Sequence, residues 1–591
     1  MRASPLFLLV FAGLSLCGQE GAPQRFRQWL GGQEVGGAQT ELRRQKEGRE
    51  VHSRTWMALS RLGQEIREDL VQTARKAPDG TLHFTWRLQV SAEPFEGTAE
   101  WSPGDPGQLW VHPGHGPTVK KAVPVGAVLW PEDLEATLKE AARTGRPFHA
   151  VTYSFPLQQW NTLRLEPRGP APLPGFPDAV RFTGEEREGA VSFPVESWVS
   201  PVAGEIRNRS ELGGLELLTQ RAELPAPSAP GGAGKGFFER TLLRLPPHPF
   251  QPWIPDLVLR LEGPLPELPE DPQQTKLPGG RWRLRRAAPP TEAEAAQRPV
   301  TGAPDPAEAS YLAPSPLVPF QDPAFDGLLR RLALPPGLPR WELARRVTSF
   351  VFEWITDKDF TVGFASALEV CHTPRGDCTE HAVLAVALLR RLGVPARGVT
   401  GWVGLDETLG LHFWVEVRLG DRWVPVDPTF DQAPASALRI KVADTDLADL
   451  GSVQWEGVAG DLSGLRWIPE REGDRPWDAA LVVRGDQISA PGGLALRFPG
   501  GRWNLSKGVL HLHTPTARSW RIQAVPRPGP AQLRGAQRLA GPRSQRSGWW
   551  SAGLRTLWMD LGGGRWLQAD PVSEAEAFDL LDQLLAPTGS S

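Results

Sequence analysis

Cys371-His-Thr-Pro-Arg-Gly-Asp-Cys378-Thr-Glu-His-Ala-Val-Leu-Ala-Val-Ala-Leu-Leu-Arg-Arg-Leu-Gly393 decides how the rest of the chain is read. From Cys378 onward it is apolar on almost every face, which predicts a helix enclosed by other elements rather than one lying on a surface. Gly393 supplies a stop, and Pro395 prevents the helix from resuming. A cysteine in the first turn of such a helix stands where backbone N–H groups and the positive end of the helix dipole favour a thiolate. Cys378 is therefore a candidate nucleophile.

A nucleophilic thiol needs a base, and the next informative stretch offers one. Gly410-Leu-His412-Phe-Trp-Val-Glu-Val-Arg-Leu-Gly420-Asp421-Arg-Trp-Val-Pro-Val-Asp427-Pro-Thr429 reads as two strands around a two-residue Gly-Asp turn. That turn sets Leu419 opposite Arg422 and, counting back, Trp414 opposite Asp427. His412 lies two residues before Trp414, so His412 and Asp427 share one face as diagonal neighbours within side-chain reach. Trp414 and Trp423 fall on the same predicted face and are candidate walls of a substrate groove. Taken singly, each of these residues has an ordinary structural role. Together they supply a thiol, an imidazole and a carboxylate to fix the imidazole tautomer, which is what acyl transfer through sulfur requires. The backbone N–H of Cys378, at the helix start, is the natural first donor to an oxyanion.

The three motifs, Gly-Asp-Cys378-Thr-Glu-His, His412-Phe-Trp-Val-Glu-Val and Trp423-Val-Pro-Val-Asp427-Pro-Thr, resemble the core of the transglutaminase-like superfamily, with Cys, His and Asp in that family's chain order. The resemblance covers roughly residues 311–450. It implies a papain-like core, in which a nucleophile helix packs on an antiparallel sheet that carries the His and Asp. It also implies attack on a protein carboxamide or peptide carbonyl, with no cofactor. Within that motif Glu380-His381 serves packing.

A chain of 591 residues is too long for one core and predicts about four units. The reading outside the core is a multidomain α+β protein with mainly antiparallel β domains ahead of the core and a small α+β domain after it. A signal peptide is expected at 1–18 and a polar linker at 19–50. A mainly antiparallel β domain follows at 51–224, interrupted by a helix that starts at Pro131 and ends at Gly145. The Pro/Gly-rich stretch 225–236 reads as a linker, 237–286 as a small β module, and the Pro/Ala/Glu-rich 287–308 as a second linker. The catalytic core occupies 309–470, opening with a helix near 339–355. The final domain, 476–591, closes on a helix with a Ser573/Glu576 capping box.

The formal net charge is −3, so no global field points to nucleic acid. Abundant Gly, Pro and Ala, with Arg outnumbering Lys, fit a GC-rich bacterial genome. Met1-Arg2 followed by the apolar run Leu6–Leu16 predicts export to the periplasm, the cell envelope or the medium; lipidation of Cys17 would hold the protein at a membrane. Of the three cysteines, Cys371 is expected to be a bystander thiol, and the set is no disulfide scaffold. The pairs His112/His115 and His511/His513 lack a further ligand to complete a metal site. The partner expected is a protein or peptide substrate, in a transamidase or peptidase reaction. The rival expectation is a catalytically silent envelope binding or assembly protein that uses the core for protein contact.

Overall fold

The computed structural model describes residues 23–583, apart from stretches of which the longest are 228–242, 358–363, 454–464 and 541–546. The expected signal segment and Cys17 lie outside the described residues, as does most of the 225–236 linker. What is described is mostly antiparallel β sheet, with the helices gathered chiefly around the core.

The N-terminal region is a single sheet. Fourteen described strands run from β1 (Gln24–Leu30) to β14 (Leu215–Arg221); the chain steps outward from β1 to β8 (Val119–Ala122) and returns from β9 (Phe148–Ser154) to β14, which pairs with β1. Helix α1 (Pro131–Thr144) joins the two halves, with Pro131 in its first turn and Gly145 left-handed after its end. Its Leu134 and Leu138 are buried against Phe148, Leu163 and Phe182.

This sheet corrects the polar linker expected at 19–50, because residues 24–45 form β1 and β2 (Gln33–Gln45) and β3 (Gly48–Arg61) starts at Gly48. The alternation was hidden because inward positions here are themselves polar. Gln24, Gln28 and Thr40 are buried beside Phe26 and Ala38, and Gln28 bonds across to Thr219 at 3.3 Å. A strand whose buried face carries polar groups gives no period-2 apolar signal.

The small β module expected at 237–286 is not a separate unit. Strand β15 (Leu243–Arg244) pairs with the core sheet. Strands β16 (Asp256–Glu262), β17 (Gln274–Leu277) and β18 (Arg281–Arg285) form one sheet with β23 (Arg466–Glu472) and β24 (Arg475–Pro476), from the far end of the core segment and just past it. Pairing across some two hundred residues leaves no local trace in sequence. The expected linker 287–308 is likewise a brace: it holds α2 (Glu292–Ala295), capped by Thr291 and Glu294, and Glu294 pairs with Arg422 at 2.6 Å.

The core contains α3 (Ala324–Leu332), α4 (Arg340–Trp354), α5 (Ala367–His372) and α6 (Cys378–Arg391), packed on β19 (Ala396–Leu405), β20 (Thr408–Leu419), β21 (Arg422–Val426) and β22 (Arg439–Thr445). Every residue of α6 from Cys378 to Arg390 is buried, as the apolar run predicts. At about 1.5–3 kcal/mol for each large apolar side chain removed from water, Leu384, Leu388 and Leu389 alone make this helix a main anchor of the core. Its far end is held by Arg390, which donates to the carbonyls of Ala313 (2.7 Å), Ala396 (3.0 Å) and Asp446 (2.5 Å). Burial brings the Arg390 guanidinium down to about 10. Gly393 then turns the chain at φ +74°, where a Cβ would meet the Val300 carbonyl at 2.4 Å.

After the core the described residues form a three-stranded sheet (482–497) and a seven-stranded sheet (502–570), closed by α7 (Glu574–Gln583) with the expected Ser573/Glu576 cap.

Candidate active site

The first turn of α6 is fixed by carboxylates. Asp377 is the cap residue and accepts the N–H of Thr379 at 3.0 Å. Glu380 returns to accept the N–H of Asp377 at 2.9 Å and that of Ala365 at 3.0 Å. The Asp-Cys-Thr-Glu sequence is thus a capping box that orients the cysteine-bearing turn. Burial, with nearby Asp377, raises the Glu380 carboxyl well above the usual carboxylate range. His381, with no exposed surface, places Nδ1 2.5 Å from the Asp377 carbonyl, so it belongs to the scaffold of this turn.

Cys378 is the first residue of α6 and only 1% exposed. Helix α6 lies against β20, the strand that carries His412. The β20–β21 hairpin has the register its Gly420-Asp421 turn predicts, with Leu419 opposite Arg422 and Val415 opposite Val426. That register delivers Asp427 to His412. Nε2 of His412 lies 2.7 Å from Oδ2 of Asp427, both side chains fully buried.

Nε2–H therefore donates to Asp427, and Nδ1 is left with no hydrogen-bond partner among the described residues. This is the tautomer a thiol acceptor needs: Nδ1 carries the lone pair. The ring is held between Phe430, at 5.2 Å between centroids, and the nearly parallel Trp414 at 6.0 Å. Behind Trp414 the sheet needs a glycine. A Cβ on Gly401, the residue paired with His412, would stand 1.9 Å from the Ile440 carbonyl oxygen and 2.8 Å from the Trp414 ring. Gly401→Ala is expected to cost about 1–3 kcal/mol by overpacking, read as a lower Tm with the site's aromatic wall displaced.

The structure brings Trp414, but not Trp423, to His412. Trp423 sits opposite Arg418, six residues from His412 and so about 20 Å along the strand. There it packs edge-on to Tyr311, with the Arg397 guanidinium 4.1 Å from its ring centre.

Two features escaped sequence reasoning. Arg439, at the start of β22, donates to Oδ2 of Asp427 from both Nη2 (2.6 Å) and Nε (3.0 Å). Oδ1 of the same carboxylate accepts the N–H of Thr429 at 3.0 Å. Burial alone would raise the Asp427 pKa, but the charges of and bonds from His412 and Arg439 outweigh it and hold the carboxyl well below its ordinary range. Further along the same face, Glu416 is bonded by Arg397 (2.9 Å) and Lys441 (3.0 Å), and Asp444 by Arg397 (2.9 Å). The only signal for either feature was the charged residues within apolar strands, whose partners lie on other strands.

Cys371 sits in the core, and burial pushes its thiol up to about 11, with Asp322 adding to the effect. No disulfide joins it to Cys378. A thiol held so far above neutrality is protonated and inert; Cys371→Ala should therefore leave the turnover of any Cys378-dependent reaction within about twofold of wild type.

Comparison with curated proteins gives no match. Among solved structures, the chain is similar to a β-barrel-like protein of a domain of unknown function from Brucella abortus, at 10% identity and TM-score 0.29, over 36% of this chain and 100% of that one. It is also similar to a "putative cysteine protease" from Cytophaga hutchinsonii, at 14% identity and TM-score 0.25, over 38% of this chain and 89% of that one. A comparison of sequence families matches residues 331–428 to the transglutaminase-like superfamily. That span contains Cys378, His412 and Asp427, and this part of the chain is a transglutaminase-like core.

Proposed function

We propose that the chain is a cysteine acyl-transfer enzyme with Cys378 as nucleophile, His412 as base and then acid, and Asp427 as the group that orients His412. The observation that carries this reading is the fully buried His412–Asp427 bond at 2.7 Å, with Nδ1 left for a proton, on a strand against which the Cys378 helix packs. In the first step the Cys378 proton passes to Nδ1 and the sulfur attacks a carboxamide or peptide carbonyl carbon. The C–N bond then breaks, the imidazolium returns the proton to the leaving nitrogen, and a thioester remains on Cys378. In the second step an amine or water gives a proton to Nδ1 and attacks the thioester carbon; the C–S bond breaks and the departing sulfur takes the proton back from Nδ1, restoring the Cys378 thiol. The backbone N–H of Cys378 is the proposed donor to the oxyanion.

Amine acceptors make the enzyme a transamidase, and water makes it a peptidase or deamidase. Export to the envelope, read from Met1–Leu16, is part of the proposal. The rival reading, a silent protein-contact module, is favoured by one observation, the burial of Cys378. The test is incubation of wild type and Cys378→Ala with a glutamine-containing protein library, with and without a primary amine, read by mass spectrometry. Amine adducts, deamidated glutamine or cut peptide bonds formed by wild type alone support the proposal. Identical spectra from the two proteins refute it.

A further inference from the structure

The Asp427 carboxylate receives more than its dyad partner requires. Oδ2 accepts from His412 Nε2 (2.7 Å) and from two nitrogens of Arg439 (2.6 and 3.0 Å), while Oδ1 takes the Thr429 N–H (3.0 Å). Arg439 is in turn held by the side-chain oxygens of Gln432 (2.8 Å) and Ser436 (2.5 Å) and by the Ser436 carbonyl (3.2 Å). It is 8% exposed, so its charge acts on the dyad with little screening by water. A guanidinium keeps its proton throughout the working pH range, and its planar fork fixes the carboxylate in direction as well as in charge.

We propose that Arg439 is a positioning residue for the Cys378–His412–Asp427 site: it holds the Asp427 carboxylate ionised and turned to His412 Nε2, and its charge offsets that carboxylate so that the imidazole gives up its proton more readily. The inference rests on the reading of these three residues as an acyl-transfer site. In a bare His–Asp couple the carboxylate stabilises the imidazolium, making it a reluctant acid when the leaving nitrogen needs a proton. With Arg439 on the same oxygen, the Asp–Arg pair is close to neutral as seen from His412. The geometry is kept while part of the electrostatic pull is cancelled. Catalysis gains because Nδ1 must both take and return a proton within one turnover.

The variants below substitute none of the other charged or titratable groups on the elements around His412. At the start of α6 they are Asp377, Cys378, Glu380 and His381; on the sheet they are Glu416, Arg397, Lys441 and Asp444. A difference between variants therefore reports on Arg439.

The experiment uses the full chain labelled with 15N-histidine, with the His412 signals assigned through His412→Gln. Ring-nitrogen shifts are followed against pH in wild type, Arg439→Lys, Arg439→Met and Arg439→Gln. The expected result is the Nε2–H tautomer in wild type, and a His412 titration midpoint higher by about one pH unit or more in Arg439→Met, where the carboxylate is no longer offset. Arg439→Lys, which keeps the charge, should stay much closer to wild type. If Arg439→Met changes the circular dichroism spectrum, Arg439→Gln, which keeps a donor without the charge, decides the matter by the same criterion. A midpoint unmoved in the uncharged variant, or moved equally in Arg439→Lys, overturns the proposal.

These readings need no substrate, so they stand apart from the acyl-transfer assay, whose failure would remove the functional setting without moving His412. Where turnover is measurable, Arg439→Met should lower kcat about 10–100-fold with KM nearly unchanged, and shift the acid limb of the rate profile upward, because His412 must be neutral to take the thiol proton.

Discussion

His412→Ala is expected to lower kcat for acyl transfer by about 10⁴–10⁶-fold, close to the loss from Cys378→Ala, because residues of such a unit act together and their losses do not add. The fold should survive the change. Asp427 is not stranded when the imidazole goes, since Arg439 and Thr429 still supply three N–H donors. The remaining cost is a ring-sized cavity beside Trp414 and Phe430, of the order of 1–3 kcal/mol. Steady-state kinetics with circular dichroism as a fold check decides the point. Activity within tenfold of wild type would mean that another group moves the proton, and His412 would lose its assigned role.

The largest stability effect is expected away from the site. Arg340, the first residue of α4, makes two bonds to Glu308, Nη1–Oε1 at 2.8 Å and Nη2–Oε2 at 3.1 Å, and donates from Nε to the Arg298 carbonyl at 2.9 Å. Both side chains are buried, so removing Arg340 leaves the Glu308 carboxylate little water and only a longer ion pair, with Arg418 at 3.8 Å. Arg340→Ala should cost about 3–5 kcal/mol, which for a domain of this size is a Tm lower by roughly 10 °C. Replacing both partners, Arg340→Met with Glu308→Leu, should restore most of that loss, because the desolvation penalty disappears with the charges. A double variant as unstable as the single one would show that the bond to Arg298, not the ion pair, holds this brace to the core.

The contrast between what was legible and what was not follows range. Cys378, His412 and Asp427 could be picked out because each sits in a locally readable element: a capped apolar helix, or a hairpin whose two-residue turn sets every cross-strand pair. The helices at 131–144, 340–354 and 378–391 were readable for the same reason. Strand β16 was recognisable as a strand, but its partner β23 was not, since nothing near Leu261 specifies Trp467. Arg439 carries no local signal of its role, because what sets it at Asp427 is the pairing of β22 with β19. The first strands, at 24–45, failed for another reason: with glutamine and threonine on the buried side, the usual contrast between faces vanishes. Trp423 shares a face with His412, as its parity predicts, but parity says nothing of distance along the strand.

Cys378, His412 and Asp427 are all sealed from solvent in the resting chain. Chemistry at the sulfur must then wait for a breathing motion of the surrounding core. As the concentration of a small electrophile is raised, modification of Cys378 should stop accelerating and reach a ceiling. The height of that ceiling is the frequency with which the molecule uncovers its own thiol, and a genuine guest would be recognised by raising it.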